Sequence, residues 1–228
     1  MCSSDLKAAT YHAIAREKLR AAPDDARALH ECAIQAGVAG CHDEAIALGR
    51  QLVEHPDAPD LALAWMNLGH SLLETRQFQA AADAAREALA RSPRMRAARY
   101  NHALAALCLG RVDEVIADCE AMLADEGYDP AAWALSAAAG VLVDDEARIG
   151  RATRMLLERG EPLAPALQAH AARLEGAGRR AEARRLEDAA REAWRATLLA
   201  LGFLADDATI EQAMRQGAAA ADLEQVRA

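Results

Sequence analysis

Residues 62–95 contain Trp65-Met66-Asn67-Leu68-Gly69-His70-Ser71-Leu72, then Phe78, Ala81, Ala85, Ala88, Leu89 and Pro93. Trp65, Leu68, Gly69 and Leu72 fall at the three- and four-residue spacing of one helix face, and Ala81, Ala85 and Ala88 do the same further on. Two helices can bring their backbones close only where side chains are small, so Gly69 is expected to meet Ala81 and Ala88 across a hairpin. Working outward from Gly69, a small residue recurs every 34 positions, at Ala103, Ala137 and Ala171. A repeat of this length with a small residue at a fixed place marks stacked helical hairpins.

The other copies vary the theme. The one from Ala26 has Ala33 at the small place and runs two residues long through Pro56, Asp57 and Pro59. In the copy from Arg96, Ala103 is expected to face Val115 and Met122, with looser packing. A fourth starts at Pro130 and Trp133, keeps Ala137 and turns at Asp144-Asp145. A fifth carries Leu167, Ala171, Leu174, Gly178, Ala183 and Ala190. The expected organisation is a capping helix in residues 1–25, an array of about five repeats in 26–201, and a capping helix or tail in 202–228. Terminal repeats have one face without a neighbour, so atypical ends are expected of an array.

The pattern Trp65-x-x-Leu68-Gly69-x-x-Leu72, followed by Phe78, Ala81 and Pro93, resembles the tetratricopeptide repeat (TPR), with Leu72 and Ala85 where that family prefers aromatics. The resemblance implies an all-α, right-handed superhelical solenoid whose first helices line an inner groove. Carried over by place, the groove would include His30, Met66, Asn67, His70, Leu73, Tyr100, Asn101, Leu104, Leu135 and Ala138. Asn67 and Asn101 share one place in adjacent copies, where family members commonly use Asn. An amide both donates and accepts, so two in register can clasp an extended peptide backbone, unless each merely bonds a neighbouring helix turn. The cations with which some relatives grip a terminal carboxylate are missing, since Ala97, Ala131 and Leu135 stand there. The groove turns apolar toward Ala134, Leu135, Ala138, Val141 and Leu142, and so should take an apolar helix or an extended segment, or be filled by the chain's own last helix.

Composition agrees with helices. Aromatic residues make up 4% of the 228 positions, which leaves strands without their usual material. Although 53% of the chain is hydrophobic, charged residues interrupt every apolar run before the ~18–20 residues a membrane span needs. The start Met1-Cys2-Ser3-Ser4-Asp5 lacks a secretory pattern, and five cysteines without regular spacing do not suggest a disulfide framework. A reducing cytoplasm is the expected compartment. The net charge of −9 argues against nucleic acid as a partner. Arginines nevertheless cluster at Arg86, Arg91, Arg94, Arg96 and Arg99 and again at Arg173, Arg179, Arg180, Arg184 and Arg185, read as solvated faces or as docks for an acidic partner.

Chemistry is not expected. No phosphate-binding loop, His-Glu-x-x-His, Gly-x-Ser-x-Gly or Cys-x-x-Cys occurs, so no catalytic residue, cofactor or metal is assigned. His30, Cys32, Cys41 and His42 form the one Cys/His concentration, but their places on helix and turn do not converge as four zinc ligands would. Asp24-Asp25, Asp144-Asp145 and Asp206-Asp207 read as helix N-caps. The expected function is a non-enzymatic interaction module that binds a peptide or helix of a partner as scaffold or adaptor. Alternatives are a dedicated accessory subunit or chaperone, and a self-assembling protein that dimerises through Trp194, Leu198, Leu199, Leu201 and Phe203.

Overall fold

The computed structural model describes residues 3–126, 128–200 and 206–216, and every regular element among them is an α-helix. They run α1 (Ser3–Ala21), α2 (Ala26–Val38), α3 (His42–Glu54), α4 (Leu61–Glu74), α5 (Phe78–Arg91), α6 (Arg96–Leu109), α7 (Val112–Glu126), α8 (Pro130–Val143), α9 (Glu146–Leu157), α10 (Leu163–Gly176), α11 (Arg180–Ala200) and α12 (Asp207–Gln216). The fold class is the all-α helical-hairpin solenoid that the spacing implies. Two compact units make up the chain, Met1–Ala106 and Leu107–Ala228.

The turns inside the hairpins keep the same period as the small residues. Gly40, Arg76, Gly110, Asp144 and Gly178 each have a positive φ between 57 and 80°, spaced by 36 residues and then by 34 three times. A left-handed residue reverses the chain within a few positions and closes the preceding helix. Arg76 and Asp144 hold that conformation despite carrying a Cβ, which costs about 1–2 kcal/mol each.

Helix starts are fixed by acids. Asp25, Asp60, Asp129 and Asp145 accept a backbone N–H from Arg27, Leu63, Ala132 and Arg148 at 2.8 to 3.1 Å. Asp206 does the same for Thr209 at 2.8 Å. Of the expected Asp144-Asp145 cap, only the second residue caps α9, while Asp144 ends α8 in the left-handed region.

In the first unit, α4 and α5 approach at Gly69, where a Cβ would lie 3.4 Å from the Ala81 carbonyl oxygen and 3.5 Å from the Ala84 Cβ. Ala81 is therefore the expected neighbour, but Ala84 and Ala85 take the second place given to Ala88, one turn nearer to the hairpin bend. Ala88 is buried all the same. Leu29, Leu52 and Ala64 join α2, α3 and α4 into one core, onto which Leu19 of α1 packs.

In the second unit, α8 is enclosed by α7, α9, α10 and α11. The fifth hairpin, α10 with α11, sits on α8 and scarcely touches α9. Arg185 of α11 donates to the carbonyl oxygens of Val141 and Leu142, at 2.6 and 3.0 Å, and pairs with Asp144 at 2.5 Å. A cation thus meets the bare carbonyls at the negative end of the α8 dipole. Helix α11 is 21 residues long and its far half is covered by α12, with Trp194, Leu198, Ala164, Ile210 and Ala213 in one cluster. The Trp194 indole donates to Gln168 Oε1 at 3.2 Å, and Gln168 donates on to the Met214 carbonyl at 3.0 Å.

This arrangement corrects the apolar edge expected for self-assembly. Trp194 and Leu198 are buried inside the chain, and only Leu199 of the described members is exposed. Leu201, Phe203 and residues 217–228 lie outside the described residues.

Candidate functional site

The first helices of successive hairpins carry the residues assigned to a groove, and each unit treats them differently. In the first unit α2 packs beside α4, and the Asn101 Nδ2 of α6 donates to the Met66 carbonyl oxygen of α4 at 3.2 Å. These three helices therefore share one wall. On it Met66, Asn67, His30 and Tyr100 are half-buried and His70 is exposed, whereas Leu73, Asn101 and Leu104 are buried.

The two register-matched asparagines thus part company. Asn101 spends its amide on a neighbouring helix, so the pair cannot act as twin clasps, and Asn67 alone keeps a partly open side chain. Beside it lies a small cavity lined by His30, Ala33, Ala64 and Asn67 among others. The His30 Nε2 is buried without a hydrogen bond, and burial lowers the affinity of that ring for a proton, although Asp60 opposes this. His70 meets the ring of His42 edge to face, with centroids 6.1 Å apart. The open part of the wall offers a thioether, an amide and imidazoles, a mixed surface able to cover apolar groups and exchange hydrogen bonds.

In the second unit the equivalent places are shut. Leu135 and Ala138 are both 0% exposed, and these two members of the expected groove are packing residues. Ala134, Ala137 and Val141 are buried with them. The apolar gradient along the sequence reflects a wall filled by the chain itself, as one of the expectations allowed, through the fifth hairpin, while the described part of the last helix packs on α11.

The arginine clusters are largely engaged within the chain. Arg86 and Arg91 pair with Asp83 and Glu87, at 2.8 and 2.6 Å, and Arg91 also lies over the Trp65 ring. Arg179 pairs with Glu182 and lies against Gly110, where a Cβ would come within 1.5 Å of its guanidinium. Sequence pattern does not reveal Arg185 as a clamp, because its partners are backbone oxygens more than 40 residues away.

The members of the Cys/His concentration lie in different surroundings. His30 faces the wall, Cys41 is exposed in a turn and His42 meets His70. Cys32 points elsewhere, into a group with His12 and Glu44 that spacing gave no means of finding. Cys108 and Cys119 are buried thiols, pushed up to about 11 and about 12 by desolvation. Structural burial of this kind makes a thiol inert toward nucleophilic chemistry.

No protein-family model matches the chain, and no curated protein matches it. Solved structures do. YrrB, described as a TPR protein with an unusual peptide-binding site, superposes with a TM-score of 0.56 over 82% of this chain and 96% of its own, at 15% identity. MamA matches with a TM-score of 0.46 and 20% identity, over 78% of this chain and 84% of its own. The Naa15/Naa10 complex bound to HypK-THB matches with a TM-score of 0.44 and 16% identity, over 89% of this chain and 35% of its own. The fold is TPR-like.

Proposed function

We propose that the chain is a non-enzymatic interaction module that binds a peptide or helix of a partner protein along the α2–α4–α6 wall of its first unit. One observation carries this reading. Places filled by fully buried Leu135 and Ala138 in α8 are held in α4 by half-buried Asn67 and exposed His70. A position that packs in one repeat and faces water with polar chemistry in another has been freed from folding work, and is available for contact. The YrrB peptide site gives the same fold a precedent for such use.

The partner should present an apolar side chain for Met66 and backbone or polar groups for Asn67 and His70. Nucleic acid is disfavoured by the charge of −9. Among the described residues no helix is long and apolar enough to cross a membrane.

The test is to purify partners with the full chain from native extract, then measure their affinity for Met66→Glu, Asn67→Ala and His70→Ala. We expect each to weaken binding at least about tenfold when the replaced group contacts the partner, at ~1.4 kcal/mol per decade. Arg86→Ala should bind as the parent does. Binding lost in Arg86→Ala and kept in the wall variants would move the site to the arginine surface. A single stoichiometric partner would identify a dedicated chaperone or accessory subunit, and several would identify a scaffold or adaptor.

A further inference from the structure

We propose that His12, Cys32 and Glu44 form a binding site for one zinc ion, which pins helix α1 to the first hairpin. The three side chains come from α1, α2 and α3, and their ligand atoms all lie within 4.8 Å of one another. His12 Nε2 and Glu44 Oε2 are 3.3 Å apart. Two ligands on a tetrahedral ion with bonds of about 2.0 Å are separated by about that distance.

The chemistry of the set points to zinc. A thiolate, an imidazole and a carboxylate are the ligand types zinc takes, and hard magnesium or calcium would not select sulfur. Thiolate and carboxylate together match a dication in charge. With Glu44 Oε1 already held by Arg16 Nε at 3.2 Å, the carboxylate binds through its other oxygen, and water takes the fourth place.

Burial supplies an independent reason. Cys32 is fully buried and His12 is 6% exposed, yet His12 Nε2 has no hydrogen bond among the described residues. A ring nitrogen shut away from water, whose 3.3 Å contact with Glu44 Oε2 does not have hydrogen-bond geometry, lacks the well-aligned partner that folded proteins ordinarily provide. A metal ion is such a partner. Helix α1 otherwise has a thin anchorage: among its residues of described burial, His12 and Ala15 are buried and Leu19 packs on the core, while Leu6, Tyr11 and Ile14 stand exposed.

The experiment uses the full chain. Zinc binding is measured by competition with a chromophoric chelator, and cobalt is substituted to look for a thiolate-to-metal charge-transfer band. We expect one zinc per chain, a cobalt band that disappears in Cys32→Ser, and affinity at least about tenfold lower in His12→Gln and Glu44→Gln. Cys41→Ser and His42→Gln should bind as the parent does. Zinc should also slow tryptic cleavage after Arg16, Lys18 and Arg20, all in α1. Circular dichroism verifies that each variant remains helical, and the cleavage readout in His12→Gln serves if Cys32→Ser does not fold. The proposal is overturned if the folded parent binds no zinc at micromolar concentration, if all three substitutions leave binding intact, or if Cys41→Ser or His42→Gln abolishes it.

Discussion

Helices α4 and α8 stand two repeats apart and begin the same kind of hairpin, but one shows water a mixed polar face and the other shows it almost nothing. Asn67 and Leu135 hold the same place in the pattern, as do His70 and Ala138. Around α8 the fifth hairpin is drawn in by Arg185 on the Val141 and Leu142 carbonyls. A repeat therefore does not commit its inner face to binding. What packs against that face decides whether it is closed into the core or left facing water.

The strongest way to break this contrast is Leu135→Asn, which gives the closed wall the residue of the open one. Leu135 is fully buried. The change removes apolar volume and buries an amide, and it should destabilise by about 3–5 kcal/mol. A chemical denaturation midpoint close to that of the parent would mean that the α8 wall is open in solution.

Acid should loosen the second unit through His170 of α10. Burial, with Arg173 adding to it, holds this imidazole at a pKa of about 4, against an ordinary 6.5. Unfolded chains accept the proton first, so the stability present above pH 6.5 is lost as pH falls toward 4, in total on the order of 3 kcal/mol. Thermal melts from pH 7.5 to 4.5 should fall more steeply for the parent than for His170→Leu, which has no proton to gain. Equal slopes would place His170 in contact with water.

Next in size is Arg185→Ala, which leaves two α8 carbonyls without their cation. With the guanidinium part-exposed, the cost is about 1–2 kcal/mol, and Arg185→Lys restores it only in part because an ammonium lacks the fork that spans two oxygens. Faster hydrogen exchange in α10 and α11 would locate the loss at the fifth hairpin. Uniform exchange across α7 to α11 would mean that Arg185 acts on the whole unit.

How much of this was legible follows from how local each cause is. The 34-residue period was readable because close approach at Gly69 constrains one residue type at one place, whatever lies beyond. The apolar run at Ala134, Leu135 and Ala138 was readable too, together with the choice between a partner and the chain's own helices. Its resolution was not, because Arg185 reaches α8 through backbone oxygens that carry no sequence signature, across 44 residues to Val141. Asn67 and Asn101 illustrate the same limit. Identical residues at identical places differ because one of them has a carbonyl of the preceding repeat within reach. His12 meets Cys32 and Glu44 only after three helices pack, so no spacing announced it.

The smallest effect is expected from the reciprocal swap, Asn67→Leu. Asn67 is half-buried on the open wall, so a leucine there covers some apolar surface, leaves no buried amide unpaired and should shift stability by no more than about 0.5 kcal/mol in either direction. The partner's affinity, by contrast, should fall at least about tenfold, since a hydrogen-bonding amide in the contact is replaced by a group that cannot donate or accept. Loss of stability with affinity retained would reverse the assignment: Asn67 would then be a packing residue like Leu135, and α4 would be no more open than α8. Affinity lost at unchanged stability is the combination that a core position cannot produce, and it is what separates a wall built for contact from one built to hold the chain together.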